Sequence, residues 1–354
     1  MIRSDAPDAG LLAGRYGIEA ERVEPLGEGL INRTFLARSR RGEEFVLQRV
    51  NPMFGQEVHD DIEAITAHVA GKGLRVPRLV RTRDGALCAG DDAGLWRLMT
   101  RVPGESRSIL RRPAEAESAG EMLARFHSAL LDLDHEFRSV RPGVHDTPRH
   151  LQRLREALAA RRDHPRFAWV EPLATRILAA GAELPELPSV TPRIVHGDPK
   201  INNFLFDPGT DRVLCLVDFD TLSRMALPLE LGDAFRSWCN PGGEDTTEVR
   251  FAPEMMVAGA EGYARIAAPW ITATESRSIV PATLVICVEL ASRFCADALN
   301  EDFFAWDPKR FGSHSEHSEI RAAAQLALSE SLRAQMPSLT REVRAVFTAA
   351  GARP

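Results

Sequence analysis

The chain has 354 residues, 44% of them apolar and 27% charged, enough for a substantial core and for two lobes or domains. Its formal net charge of -6, with no basic stripe interleaved with aromatics, argues against nucleic acid as the main partner, because phosphate backbones select basic surfaces. Five scattered cysteines without a CxxC pair argue against a disulfide framework or a zinc site and fit a reducing compartment.

The opening MIRSDAPDAGLLAG lacks a long apolar core and carries Asp5 and Asp8, so no signal peptide is expected. No uninterrupted apolar run of about 18 residues follows, and a cytoplasmic protein that does not engage a membrane is the expectation. Residues 23–50 read as strands: VEPLGEGLINRTFLARS passes through a glycine-containing turn into an alternating segment, and EEFVLQRVN alternates again. Residues 56–71 space Val58, Ile62, Ile65 and Val69 for one buried helical side. LRVPRLVRT and GLWRLMTRV are predicted as further strands. From Pro103-Gly104 the pattern turns helical, in AEAESAGEMLARFHSALL, PRHLQRLREALAARR, EPLATRILAAGAEL and most of the chain after residue 250. The fold class is therefore α+β, with a small N-terminal antiparallel-sheet lobe over residues 1–102 and a larger, mostly helical C-terminal lobe over 103–354.

Against the helical background of the second lobe, VHGDPKINNFLFD (195–207) and RVLCLVDFDT (212–221) spell strand, turn, strand around Asp207-Pro208-Gly209. Pairing those strands brings Asn203 near Asp218, two oxygen donors of the kind that hold Mg²⁺ together with substrate phosphates. Asp198 stands on the loop leading in, able to accept a hydroxyl proton, and Lys200 can reach a transferred phosphoryl group. The Asp-x-Lys-x-x-Asn spacing is that of protein-kinase catalytic loops. A positioned hydroxyl, a metal on the phosphates and a cation on the equatorial oxygens are the parts of phosphoryl transfer to an alcohol. The bland alternative, a surface turn capped by Asp and Asn, does not account for the second strand ending in Asp-x-Asp.

HGDPKINN followed by VDFDT resembles the aminoglycoside/choline phosphotransferase superfamily, small-molecule relatives of protein kinases. GEGLINRTF, EFVLQRVN, HDTPRH, LVDFDTL, ELGDAFR and ELASRFCADAL, in the same order, are similar to its N-acetylhexosamine 1-kinase-like branch. The resemblance implies a bilobal protein-kinase-like fold, ATP and Mg²⁺ as cofactors, Asp198 as catalytic base, and Asn203 and Asp218 as metal ligands. It also implies that Gly27 and Gly29 of GEGLIN cover the nucleotide phosphates and that Asn32 faces the phosphates or the sugar. The strand lysine of kinases is missing: Gln48 and Arg49 stand there, one of which faces the nucleotide.

The acceptor is expected to be a small-molecule hydroxyl, foremost the anomeric hydroxyl of a hexose or N-acetylhexosamine. Asp220, Arg293 and Asp297 are expected to line its pocket, with a second metal site as the alternative for Asp220, and the last two are four apart on one helix face. Sugar 1-kinases carry His where this chain has Leu30, which removes a polar sugar contact. Rival readings are an aminoglycoside or amino-alcohol phosphotransferase and a non-catalytic nucleotide-binding module. Asp233 of ELGDAFR is expected to brace the catalytic loop, His196 and His127 to be structural, and HSEH (314–317) to be an exposed polar loop rather than a metal site.

Overall fold

A helical turn, α1 (Ala9–Leu11), continues into a π-turn (Leu12–Tyr16) at the start of the computed structural model, which describes residues 9–27, 32–91 and 94–352. The described chain forms two compact units. The first ends its main run at Pro103 and takes in two later segments, Asp132–Val140 and Val217–Leu222, which carry no local pattern that assigns them to it.

In the first unit β1 (Ala20–Pro25), β2 (Arg33–Ser39), β3 (Glu44–Arg49), β4 (Ala89–Asp91) and β5 (Gly94–Thr100) make an antiparallel sheet in the order β1-β2-β3-β5-β4. Strand alternation sends Phe35, Ala37, Leu47, Trp96 and Leu98 to one face, where they share a core with Leu11, Leu12 and Tyr16. Between β3 and β4 lies α2 (Val58–Gly71), which buries Val58, Ile62, Ile65 and Val69, a helical stripe of the expected period. The strand expected over LRVPRLVRT is not formed. That segment makes only an isolated bridge, Leu79↔Met99, because Pro77 has no N–H to give a ladder.

The second unit contains β6 (Glu105–Ser106), α3 (Pro113–Ala129), α4 (Thr147–Ala160), α5 (Phe167–Ala182), β7 (Arg193–Val195), β8 (Phe204–Phe206), β9 (Val213–Leu216) and β10 (Ser223–Met225). Helices α6 (Leu227–Trp238), α7 (Pro253–Ala267), α8 (Ala273–Arg277), α9 (Ile279–Asn300) and α10 (His314–Ala349) complete it. The strands pair as a β6-β8-β9 sheet and a β7-β10 ribbon. Helix α9 is long and apolar enough to cross a membrane by length and composition, but 89% of its most apolar window is buried. It is a core helix here, packing Ile286, Leu290 and Phe294 against Leu154 of α4, Ile177 of α5 and Leu326 of α10. Helices α3 and α7 approach so closely that a Cβ on Gly262 would sit 1.9 Å from the Glu117 carbonyl oxygen, so only glycine fits.

Candidate active site

The segment between β7 and β8 is a loop held from one side by α6. Glu230 lies buried on that helix and accepts from the His196 N–H with one carboxylate oxygen and from the Gly197 N–H with the other, both at 3.0 Å. Gly197 has φ 82°, a left-handed turn that suits glycine. Two turns further along α6, the Trp238 indole N–H donates to the Pro199 carbonyl and the Ser237 hydroxyl accepts from the Ile201 N–H, each at 3.0 Å. The Asn203 side-chain N–H closes the loop on the Asp198 carbonyl at 2.8 Å. The Asp198 backbone is thus fixed before its side chain is considered.

That side chain is 20% exposed and accepts a 2.6 Å hydrogen bond from the Lys200 ammonium. Burial works against its ionisation. The Lys200 charge, with His196 and Arg236 adding to it, outweighs burial and holds the carboxyl below the usual aspartate range. The expectation that Asp233 braces the loop is corrected: Asp233 pairs with Arg236 at 2.7 Å, Arg236 also pairs with Glu244, and Glu230 does the bracing. His127 bonds Tyr263 Oη at 2.8 Å and is a core histidine.

Arg293 and Asp297 do not act together. Arg293 is 17% exposed and leans one turn back toward Glu289, 3.9 Å away, with its guanidinium 5.6 Å from each of the Phe303 and Phe304 rings. Burial pushes its pKa down, with Glu289, Asp233 and Asp198 opposing. It therefore remains within electrostatic reach of Asp198. Asp297 is buried and accepts from the N–H groups of Asp302 and Phe303, from His314 at 2.7 Å and from Ser318 at 2.9 Å. It is a structural hub, and its assignment to an acceptor pocket is corrected on that ground. HSEH is likewise not an exposed loop. It opens α10, and His317 is buried, bonded to Asp245 at 2.9 Å and stacked on Phe311.

Beside Arg293, Glu289 accepts from His145 at 2.8 Å and from the Thr147 hydroxyl at 2.6 Å. Burial lowers the His145 pKa, but Glu289 more than offsets it and the net shift is upward. Glu289 itself is held down by His145 against burial. A raised histidine stabilises fully below its unfolded value of about 6.5 and stops doing so as pH rises through the folded value. A lowered glutamate stabilises above about 4.3 and stops as pH falls through its folded value. The pair contributes most between those limits. Wild-type Tm is expected to decline above about pH 6.5 by an increment absent from His145→Gln, read from thermal melts of both proteins across pH 5 to 9, on the order of the range where histidine titrates. Parallel curves would show that folding leaves the His145 pKa unshifted.

In the first unit a second polar network forms on the sheet face opposite the apolar core. Arg97 of β5 donates from Nε to Gln48 at 2.8 Å and grips both oxygens of Asp220 with its two terminal nitrogens. Asn32 donates to Asp220 at 2.6 Å and accepts from the Asn51 N–H at 2.9 Å. Arg97 and Asp220 side chains are each 1% exposed. Asn32 and Asp220 are therefore taken up in a buried network, and their assignment to phosphates or acceptor is corrected; Gln48 joins it half-buried. Gln48 faces this network, whereas Arg49 lies on the Leu47 side of the strand. Gly27 has φ 73°, a turn conformation consistent with GEGLIN as a glycine turn, while Gly29 and Leu30 lie outside the described residues. Asp218 adopts φ 66°, ψ 67°. Chain connectivity relates it to Asn203: Phe204 pairs with Leu216, one residue after Asn203 and two before Asp218.

Sequence reasoning missed Glu230, Arg97, Glu289 and His145. The signal for Glu230 was its spacing with Asp233 and Ser237, which puts a carboxylate on the same helix face as two other polar groups. Arg97 gave none, because its partner is 123 residues away.

The model of the phosphotransferase enzyme family (APH) matches residues 22–268. A homoserine kinase from Rhodopseudomonas palustris (strain HaA2) is 27% identical over 227 residues, 60% of this chain, and the match spans 62% of that protein's length. Among solved structures, an amicoumacin kinase in complex with AMP-PNP and Ca²⁺ superposes with a TM-score of 0.59 at 14% identity, over 89% of this chain and 90% of that one. An aminoglycoside phosphotransferase from Alicyclobacillus acidocaldarius gives a TM-score of 0.58 at 17% identity, over 97% and 99%. These likenesses show the expected kinase-like α+β fold.

Proposed function

Because the chain belongs to the phosphotransferase enzyme family (APH), we propose that it moves the γ-phosphoryl group of ATP to a hydroxyl of a small molecule. The observation that carries the reading is the braced loop, which holds Asp198, Lys200 and Asn203 in one fixed turn. The complex of a structural relative with AMP-PNP and Ca²⁺ supports a nucleotide donor and a metal.

Asp198 orients the acceptor hydroxyl and takes its proton, while Lys200 offsets charge on the transferred group. Asn203 and Asp218 would hold Mg²⁺. The donor set fits a hard cation: Asn203 commits its amide N–H to Asp198, which turns its oxygen to the other side, and Asp218 supplies a carboxylate. When bound, the ion would supply positive charge against that developing on the transferred group. Residues 1–102 serve the nucleotide in this reading, through Gly27 and Gly29, and residues 103–354 the acceptor, with Arg293 facing it. Use of ATP goes with a cytoplasmic location.

The acceptor we favour is the anomeric hydroxyl of a hexose or N-acetylhexosamine, on the branch motifs of the sequence. A second reading, an amino-alcohol such as homoserine, is favoured by the likeness to homoserine kinase. An ADP-release screen over hexoses, N-acetylhexosamines, homoserine, other amino alcohols and aminoglycosides tests both. Turnover limited to sugars and lost in their methyl glycosides supports the first. Turnover on homoserine or the cationic acceptors replaces it, and silence with every hydroxyl acceptor argues against the proposed transfer.

A further inference from the structure

We propose that Arg97 and Asp220 are a positioning pair that holds Asp218 in the conformation its metal role requires. The inference rests on the phosphotransferase reading above and adds a function for a charge pair that the proposed reaction does not itself use.

Asp218 is one of two non-glycine residues with positive φ among the described residues. L-residues avoid that region, and one persists there only where its surroundings over-determine it. Here the surroundings are explicit. Directly after Asp218 comes a single 3₁₀ turn, Phe219–Thr221, which packs against α2. Phe219 is buried in it, and Asp220, two residues from Asp218, is locked by the Arg97 fork and by Asn32. Arg97 is in turn held by Gln48, and Gln48 by the Thr34 hydroxyl at 3.1 Å. Three adjacent strands of the sheet, β2, β3 and β5, therefore fix the backbone on the C-terminal side of the strained aspartate.

Two other roles for Arg97 are weaker. It could replace the missing strand lysine as a phosphate cation, but its Nε and both terminal nitrogens are already committed to protein partners and its side chain is 1% exposed. It could serve stability alone, but a buried ion pair is often no better for stability than apolar groups of the same volume. What an apolar pair cannot reproduce is the two-point grip that sets the direction of the turn.

The test removes both charges together, so that neither is left stranded, in Arg97→Met/Asp220→Asn. The asparagine keeps a partner for Asn32. Mn²⁺ binding in the presence of AMP-PNP is read by electron paramagnetic resonance of the free ion, with metal-free AMP-PNP binding measured alongside and a cooperative melt as proof of folding. The expected result is a folded protein whose Mn²⁺ affinity falls by about 10- to 100-fold, the size seen when a metal ligand loses its supporting partner, with metal-free nucleotide binding close to wild type. Wild-type Mn²⁺ affinity in the folded double variant overturns the proposal. If that variant does not fold, Arg97→Lys keeps the charge and loses the fork, and the same two outcomes decide. Absence of Mn²⁺-dependent nucleotide binding in the wild-type protein would remove the phosphotransferase reading, and this proposal with it.

Discussion

Asp198→Asn is expected to lower kcat by about 10²- to 10⁴-fold, the usual contribution of a positioned general base, while leaving Tm and nucleotide affinity near wild type. The fold should tolerate it. The loop is fixed through backbone groups, by Glu230, Ser237, Trp238 and Asn203, and an asparagine oxygen still accepts from Lys200. The wild-type carboxyl titrates below the usual aspartate value, because Lys200 outweighs burial. The sign follows from that: the ionised form persists to lower pH, so the acid limb of kcat/KM should fall below about pH 4 rather than near neutrality. A base with so low a pKa abstracts a proton weakly. It is suited to a loose phosphoryl-transfer transition state, in which orienting the hydroxyl matters more than early proton removal. Steady-state ADP release with a fluorescent-nucleotide titration measures both quantities. If the variant kept more than about a tenth of wild-type kcat, Asp198 would not be the base.

Where a pattern is local, the sequence was legible. The helical stripe of α2 and the hairpin β8–β9 follow from periods of 3.6 and 2 and from a Pro-Gly turn, and HGDPKINN is contiguous. What stayed hidden depends on chain segments that meet only in the fold. The Arg97–Asp220 pair joins positions 123 residues apart, so Asp220 read as pocket lining when it is a buried anchor. Arg293 and Asp297 were placed correctly on α9, yet helical spacing gives two neighbours, one turn up and one turn down. Arg293 takes Glu289 on one side, and Asp297 instead caps the chain at 302–304 and binds His314. Periodicity names the face of a helix and not the partner on it. The same limit explains why Asp233 was read as the brace when Glu230, one turn earlier on α6, is the carboxylate whose oxygens meet the loop.

Glu230 is the position where stability and catalysis should fail together. Its two oxygens are the acceptors for the His196 and Gly197 N–H groups, and the side chain is buried. Glu230→Ala leaves both donors without a partner, and at about 1–3 kcal/mol for each buried unsatisfied group the expected destabilisation is about 2–6 kcal/mol. Glu230→Gln keeps one acceptor oxygen and turns an N–H₂ toward the other donor, so it should lose at least about half as much. Ser237→Ala removes a single hydrogen bond to the Ile201 N–H and should cost about 1 kcal/mol. The ranking Glu230→Ala, Glu230→Gln, Ser237→Ala is read from urea midpoints at constant m-value. The loop ordering makes a second, independent demand. Because Gly197 and His196 immediately precede Asp198, releasing them lets the proposed base wander, and a displacement on the order of 1 Å is enough to cost about 10²-fold in rate. The folded fraction of Glu230→Gln at low temperature should therefore show reduced kcat with nucleotide affinity unchanged. A variant that loses stability but keeps full kcat would mean that Asn203, Ser237 and Trp238 suffice to align Asp198, and that the Glu230 clamp serves only the fold.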